Sequence, residues 1–99
     1  MKVLLACAGG MSTSMLMKKM EKYAAEKGIA DFSIDATGVG DLKKAADSDI
    51  VLLGPQVSYQ QKMVQKKIGD KPLAVIPMAD YGRGNCENIF KLIDETLNA

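Results

Sequence analysis

Along the chain, segments with strand-like patterns of apolar residues alternate with segments in which apolar residues recur at helical spacing. This pattern predicts strands and helices in alternation. Lys2 to Ala6 and Asp49 to Gly54 each contain an unbroken apolar run, which is typical of strands covered on both faces of a parallel sheet. Pro72 to Ile76 supplies another short strand. Asp31 to Thr37 instead alternates apolar with polar residues, which predicts a half-covered strand at or near an edge.

Apolar residues at helical spacing separate these strands. Thr13 to Lys27 has an apolar stripe opposite a charged face, and we expect Gly28 to end this helix in a left-handed conformation. Residues 38 to 48 support about two turns of helix. Pro55 stands at the first position of a further helix, which Gly69 closes. The apolar stripes predicted for the last two helices are Val57, Met63, Val64 and Ile68, and Ile89, Phe90, Ile93 and Leu97.

This alternation predicts an α/β fold with three layers, in which a four-stranded parallel sheet carries helices on both faces. We expect residues 1–99 to form a single domain, because the length suits one core and no linker composition interrupts it. Ligands of such sheets bind outside the carboxyl ends of the strands, where the winding direction reverses. The loop after the first strand, Cys7 to Ser14, is therefore the candidate site.

Composition narrows the classes of function. The chain is 47% hydrophobic and 25% charged, and no apolar run approaches the roughly 18 residues that cross a bilayer. A formal net charge of +1 gives no global basis for binding nucleic acid. Two cysteines, Cys7 and Cys86, are fewer than a secreted disulfide scaffold normally has. We therefore expect a cytoplasmic protein that reaches a membrane only by docking.

Cys7 lies at the mouth of a predicted anion-binding loop. A helix N-terminus leaves backbone N–H groups without partners and carries a partial positive charge. Glycines at positions 9 and 10 allow successive N–H groups to turn around an oxyanion, and the hydroxyl groups that follow add donors. The same field favours a thiolate at Cys7, which is the nucleophilic form. The predicted site is Cys7 as nucleophile, with phosphate bound by Ala8, Gly9, Gly10, Met11, Ser12, Thr13 and Ser14.

Each part of this pattern also has a purely structural interpretation. A cysteine at a strand end is often a small apolar residue, and Gly-Gly with Ser-Thr-Ser is often a turn and a cap. Their conjunction at a βα turn favours the functional interpretation. The sequence contains no histidine, which excludes a cysteine–histidine dyad and any histidine metal site, and it lacks both nucleotide fingerprints and Cys-x-x-Cys. No metal and no cofactor are predicted.

Three motifs in order resemble a known family over essentially the whole chain. They are the Cys-x-x-Gly-Met-Ser-Thr-Ser segment that begins at Cys7, then Leu52-Leu53-Gly54-Pro55-Gln56-Val57, then Asp80-Tyr81-Gly82. Together they resemble the enzyme IIB component of the bacterial phosphoenolpyruvate-dependent sugar phosphotransferase system, in its lactose/cellobiose/chitobiose branch.

The resemblance implies a protein-phosphohistidine–sugar phosphotransferase with a phosphocysteine intermediate. Cys7 would accept a phosphoryl group from phosphohistidine of enzyme IIA and pass it to a sugar of the cellobiose, lactose or chitobiose class bound by the membrane transporter, enzyme IIC. The protein would then be cytoplasmic and would dock on the inner face of that transporter. The residues expected to face these partners are Gln56, Tyr59, Asp80 and Tyr81.

The fold of that family is also similar to low-molecular-weight tyrosine phosphatases, whose loop reads Cys, five residues, Arg. Thr13 occupies the arginine position here. A guanidinium would hold phosphate in a bidentate way, so its absence favours a carrier over a hydrolase. A phosphatase or arsenate-reductase-like enzyme and a plain anion-binding domain stay open as alternatives. Asp80 is the candidate acid of a phosphatase or else a helix cap or turn residue, and Cys86 is assigned to the buried stripe of the last helix.

Overall fold

The computed structural model describes residues 1–7 and 11–98, and of residues 11–13 only the helical backbone. Its strands are β1 (Lys2–Cys7), β2 (Ser33–Gly38), β3 (Ile50–Leu53) and β4 (Leu73–Val75). They form one parallel sheet in the order β2-β1-β3-β4. This confirms the predicted four-stranded parallel sheet. Because the second strand lies on one side of β1 and the third on the other, the winding direction reverses beside β1.

Burial of the strands follows their places in the sheet. β3 is buried throughout, and in β1 every residue after Lys2 is buried. β2 lies at an edge and is only partly covered, as its alternating pattern predicts. The buried central strands therefore fix the position of Cys7 at the end of β1.

Helical segments connect the strands. The α-helices are α1 (Met11–Glu26), α2 (Gln61–Ile68), α3 (Met78–Arg83) and α4 (Cys86–Leu97), and two 3₁₀ helices cover Lys43–Asp47 and Pro55–Gln60. After α1, Gly28 has a φ of 68°, and the N–H of Ile29 donates to the carbonyl of Ala24, so the predicted left-handed turn is confirmed.

Two apolar clusters lie on opposite faces of the sheet and give the fold its three layers. On one face Val3, Leu5, Ile50 and Leu52 of the sheet pack with α1, α3 and α4, through the buried side chains of Leu16, Met20, Tyr81, Ile89, Phe90 and Ile93. On the other face Leu4, Ala6, Val51 and Leu53 pack with the 3₁₀ helices and α2, through Ala45, Val57 and Val64. The alternation of strand side chains supplies both cores from the same strands.

Several predicted boundaries differ from the structure. α1 begins at Met11, two residues before the predicted start, and the segment after Pro55 is a 3₁₀ helix with a kink at Val57 before α2 begins. In the predicted stripes, Met63 is 41% exposed and Leu97 is 38% exposed. α3 was not predicted, since six residues are too few to show a helical period.

Candidate active site at the carboxyl edge

Cys7 is the last residue of β1 and is almost completely buried, with 3% of its surface exposed. Its backbone is held on the β2 side, where the N–H of Val39 donates to the carbonyl of Cys7 over 3.2 Å. The thiol is not in a disulfide. α1 begins at Met11, so its N-terminus and Cys7 lie at the same edge of the sheet.

The segment predicted to bind phosphate is described in part. Ala8, Gly9 and Gly10 lie outside the described residues, and positions 11–13 are seen as the helical backbone of the first turn of α1. Ser14 is exposed in that turn. Because the first four N–H groups of a helix have no acceptor within it, residues 11–14 present their backbone donors at the edge where Cys7 ends β1.

The turn after β3 forms a second wall beside Cys7. Gly54 is buried, and its N–H donates to the carbonyl of Ala6 over 2.9 Å. A Cβ atom placed on Gly54 would lie 3.3 Å from the Cβ of Cys7 and 3.2 Å from Oε1 of Gln56. The absence of a side chain at Gly54 therefore lets the Gln56 carboxamide and Cys7 approach the same space.

The four residues predicted to face partners differ in exposure. Gln56 is exposed, and Tyr59 is 81% exposed. Asp80 is half-buried within the first turn of α3, where its Oδ1 accepts from Nδ2 of Asn88 over 3.1 Å, so it is not the helix cap. Tyr81 belongs to the buried cluster against α1 and lines a small cavity of about 140 Å³ with Met15 and other residues. Gln56 and Tyr59 thus present most of the exposed surface in this set.

Two exposed apolar residues at this edge were not singled out by the sequence analysis. Met15 is 66% exposed in α1, and Met78 is 71% exposed at the start of α3. With Tyr59 they belong to the segments that leave the carboxyl ends of the strands, and we call these three residues the apolar rim. For Met78 the available signal was its position two residues after the predicted strand Pro72 to Ile76, whereas Met15 is the third residue of the helix predicted from Thr13.

Cys86 lies at the start of α4 and has a structural place in the core. It is 8% exposed and belongs to the cluster with Ile89 and Ile93. Burial raises the pKa of the Cys86 thiol, and the nearby Lys19 ammonium opposes that rise. The neutral thiol is therefore the form that the core stabilises, which agrees with the structural assignment.

Residues 2–92 match the profile of the family described as "PTS system, Lactose/Cellobiose specific IIB subunit". The chain belongs to this family. The chain is 38% identical over 104 residues to the galactose-specific EIIB component of Lactococcus lactis subsp. cremoris, with 97% of this chain and 95% of that protein covered. It is also 38% identical to the oligo-beta-mannoside-specific EIIB component of Bacillus subtilis, with 91% and 89% covered.

Solved structures of IIB components have the same fold. The cellobiose-specific IIB component of Borrelia burgdorferi superposes with a TM-score of 0.77 at 37% identity, covering 99% of this chain and 92% of that one. The lactose-specific IIB domain of Streptococcus pneumoniae has a TM-score of 0.72 at 16% identity, covering 93% and 96%, and shows the fold alone. In the described part of this IIB chain, no helix is both long and apolar enough to cross a membrane.

Proposed function

We propose that Cys7 carries a phosphoryl group from phosphohistidine of enzyme IIA to a sugar bound by enzyme IIC. The observation that carries this proposal is the placement of Cys7 at the carboxyl end of β1, at the same sheet edge as the N-terminus of α1. At this position a thiolate lies at the same sheet edge as the backbone N–H donors and the positive end of the dipole of α1, which can stabilise a bound anion. Membership of a phosphotransferase family supplies the class of reaction.

In the first step the Cys7 Sγ thiolate attacks the phosphorus of the donor phosphohistidine. The S–P bond forms while the P–N bond breaks, and the electron pair of that bond stays on the imidazole nitrogen. The ring, protonated on its other nitrogen, leaves as neutral imidazole. Donors fixed at the N-terminus of α1 stabilise the charge on the phosphoryl oxygens without reorganising during transfer.

In the second step a sugar hydroxyl attacks the phosphorus on Cys7. The O–P bond forms, the S–P bond breaks, the electron pair returns to sulfur, and the hydroxyl proton leaves to water. The thiolate is thereby regenerated for another cycle. Neither step needs a cofactor or a metal, because the phosphohistidine already carries the phosphoryl group in an activated form.

The names of the relatives support the proposed sugar class. They are components specific for galactose, cellobiose and oligo-beta-mannosides, so we assign this chain to uptake of a sugar of the cellobiose, lactose or chitobiose class. The chain would act as one IIB domain over residues 1–99, on the cytoplasmic side, docking to the inner face of enzyme IIC. The exposed Gln56 and Tyr59 and the half-buried Asp80 would face the partners, with the small exposed part of Tyr81 beside them.

A phosphorylation assay tests the proposal. The chain is incubated with a working donor cascade that ends in phosphohistidine, and intact mass is measured for one added phosphoryl group. We expect the adduct in the wild type and in the Cys86→Ser control, and its loss in Cys7→Ser. A wild type that gains no phosphoryl group from an active donor would contradict the proposal. Release of inorganic phosphate in place of transfer to sugar would instead favour the phosphatase alternative.

A further inference from the structure

The backbone of Gly54 is tied directly to the strand that carries Cys7. Its N–H donates to the carbonyl of Ala6 over 2.9 Å, and its own carbonyl accepts from the N–H of Val57 over 3.1 Å. β3 also pairs with β1, and the last residue pair between these strands is Leu53 with Ala6. The contacts with Ala6 therefore fix the backbone of Gly54 relative to Cys7, and the bond from Val57 holds the turn that follows.

Glycine at this position supplies space. Its φ of −66° and ψ of 149° are angles that any residue adopts, so backbone freedom does not explain it. A Cβ atom would approach the Cβ of Cys7 to 3.3 Å and Oε1 of Gln56 to 3.2 Å, and both contacts are tighter than ordinary van der Waals contact. Any side chain would displace the Gln56 carboxamide, the Cys7 side chain, or both.

The Gln56 side chain turns back over Gly54 although the residue is exposed. Gln56 follows Pro55 at the start of a 3₁₀ helix, where the fixed φ of proline limits the direction of the chain. A carboxamide offers two N–H donors and a carbonyl acceptor in one neutral group. The structure has Oε1 on the side of Gly54, and a half-turn about the last side-chain bond would place the Nε2 donors there, on the side of β3 beside Cys7.

From this geometry we infer that Gln56 is a phosphate-contacting residue whose carboxamide donates a hydrogen bond to the phosphoryl group on Cys7, in a space that Gly54 keeps open. The inference rests on the proposed phosphocarrier function and adds a side-chain donor to the backbone donors of α1. Gly54 is the positioning residue of this pair.

A neutral donor suits a group that must leave again. A guanidinium would bring a full positive charge and a bidentate pair of hydrogen bonds to the phosphoryl group, whereas a carboxamide donates without a charge of its own. Arg83 is the only arginine in the sequence, and it is exposed in the last turn of α3. Gln56 would hold the phosphoryl group in the transfer geometry while leaving it available to the sugar.

Single-turnover phosphorylation of Gln56→Leu tests the inference, with Gln61→Leu as the matched control. Gln61 is likewise exposed, at the first position of α2. The rate of Cys7 phosphorylation is measured against the concentration of phosphorylated donor. We expect Gln56→Leu to lower the rate at saturating donor by about tenfold to a hundredfold, the loss of one hydrogen bond to a charged group, with little change in half-saturation. Gln61→Leu should match the wild type.

Two results would overturn the inference. A raised half-saturation concentration with an unchanged saturating rate means that Gln56 contacts only the partner protein. Unchanged values of both quantities mean that its side chain contributes nothing to the transfer. Circular dichroism and the melting temperature verify that each variant is folded before the rates are compared.

Alkylation of Cys7 separates failure of this inference from failure of the proposed function. Peptide mapping measures the rates at which iodoacetate and iodoacetamide modify Cys7 in Gln56→Glu and Gln61→Glu. We expect Gln56→Glu to lower the ratio of the iodoacetate rate to the iodoacetamide rate by about tenfold. The new carboxylate would repel the negative charge of iodoacetate and leave the neutral iodoacetamide less affected. An unchanged ratio overturns the inference whether or not the wild type accepts phosphate.

Gly54→Ala tests the positioning role, with Gly40→Ala as its control. A Cβ on Gly40 has no heavy atom within 4 Å. We expect Gly54→Ala to reproduce the slow saturating rate of Gln56→Leu and to add little to it in the double variant, because both remove the same contact. Fully additive losses would overturn the coupling of Gly54 to Gln56. If Gly54→Ala does not fold, Gln56→Leu alone decides the question.

Discussion

Thr13 distinguishes this loop from that of a phosphatase by a single residue. An arginine in its place would bring a permanent positive charge and a bidentate fork to the phosphate site. With threonine there, the proposed phosphate donors are backbone N–H groups and neutral side chains. Our interpretation is that a loosely held phosphoryl group is passed on more readily than a tightly held one.

Replacement of Thr13 by arginine should therefore slow the second transfer. We expect Thr13→Arg to accept phosphate and then release it to sugar about tenfold more slowly, since the guanidinium adds a positive charge and a bidentate pair of hydrogen bonds to the phosphoryl group. The half-life of the phosphorylated chain with transporter and sugar present measures this effect. Ala25→Arg adds the same charge at an exposed position late in α1 and should behave as the wild type. An unchanged release rate in Thr13→Arg contradicts the interpretation.

Cys86 shows at the same scale how burial selects a protonation state. The folded core raises the pKa of this thiol above its ordinary value of 9.0, chiefly by desolvation, and Lys19 partly offsets that rise. The unfolded chain then releases the thiol proton at lower pH than the folded chain. Its contribution to stability is therefore complete below the unfolded pKa and is lost as the pH rises through the folded pKa.

The Cys86→Ala variant should lack this loss of stability at alkaline pH. Above about pH 9, we expect the free energy of unfolding to fall less steeply in the variant than in the wild type. This expectation concerns the slope with pH and holds for any difference in stability between the two proteins at neutral pH. Urea unfolding from neutral pH to pH 10, under reducing conditions, measures both slopes. Cys7→Ala is included to separate the two thiols. Parallel curves for wild type and Cys86→Ala would show that Cys86 does not titrate as described.

Among the elements, α2 shows where periodicity fails as a guide to burial. Val64 is fully buried against the sheet, whereas the adjacent Met63 is 41% exposed although both were assigned to one apolar stripe. The kink at Val57 lies inside the 3₁₀ helix Pro55–Gln60, so a single helical period does not run from Val57 into α2. Within α2, consecutive side chains point about 100° apart, so the face that packs against the sheet buries Val64 and leaves Met63 partly exposed.

Substitution at these neighbouring positions should give unequal losses of stability. Val64→Ala removes two buried methyl groups, and we expect it to lower the free energy of unfolding by about 1–3 kcal/mol. Met63→Ala should change it by less than about 0.5 kcal/mol, as is usual for exposed sites. Thermal and urea unfolding of the two variants measure the difference. Equal losses would mean that the predicted stripe, and not the observed face, describes the packing of α2.

At the scale of the whole molecule, the sheet order brings separate segments of the chain to one edge. Tyr59 follows β3, Met78 follows β4, and Met15 lies early in the helix that follows β1. Parallel strands place all three connections at the carboxyl edge, the edge at which Cys7 ends β1. Exposed apolar side chains grouped around a reactive residue are typical of a surface that a partner protein covers.

Polar substitutions in the apolar rim should weaken docking without changing the chemistry. We expect Tyr59→Ser and Met78→Ser each to raise the half-saturation concentration of the phosphorylated donor by about threefold or more, with an unchanged saturating rate. Leu97→Ser is the control, because this 38% exposed residue ends α4 away from Cys7. A fall in the saturating rate, or an equal effect of Leu97→Ser, would contradict a docking role for the rim.

The sequence by itself determined the class of the fold and the candidate nucleophile. Continuous apolar runs separated by helical periods are sufficient for a four-stranded parallel α/β sheet, since few other arrangements bury such strands on both faces. The glycines and hydroxyl residues after Cys7 predict an anion loop from local chemistry alone. Local spacing also places Cys86 correctly in the core.

Only the tertiary structure decided which distant residues meet Cys7. The approach of Gly54 and Gln56 depends on the pairing of β3 with β1, a contact between segments more than 40 residues apart that no local pattern specifies. The burial of Tyr81, the exposure of Met63 and the existence of α3 likewise depend on packing against other elements. Local sequence fixes periods and turns, whereas the space between elements is fixed by the whole core packed together.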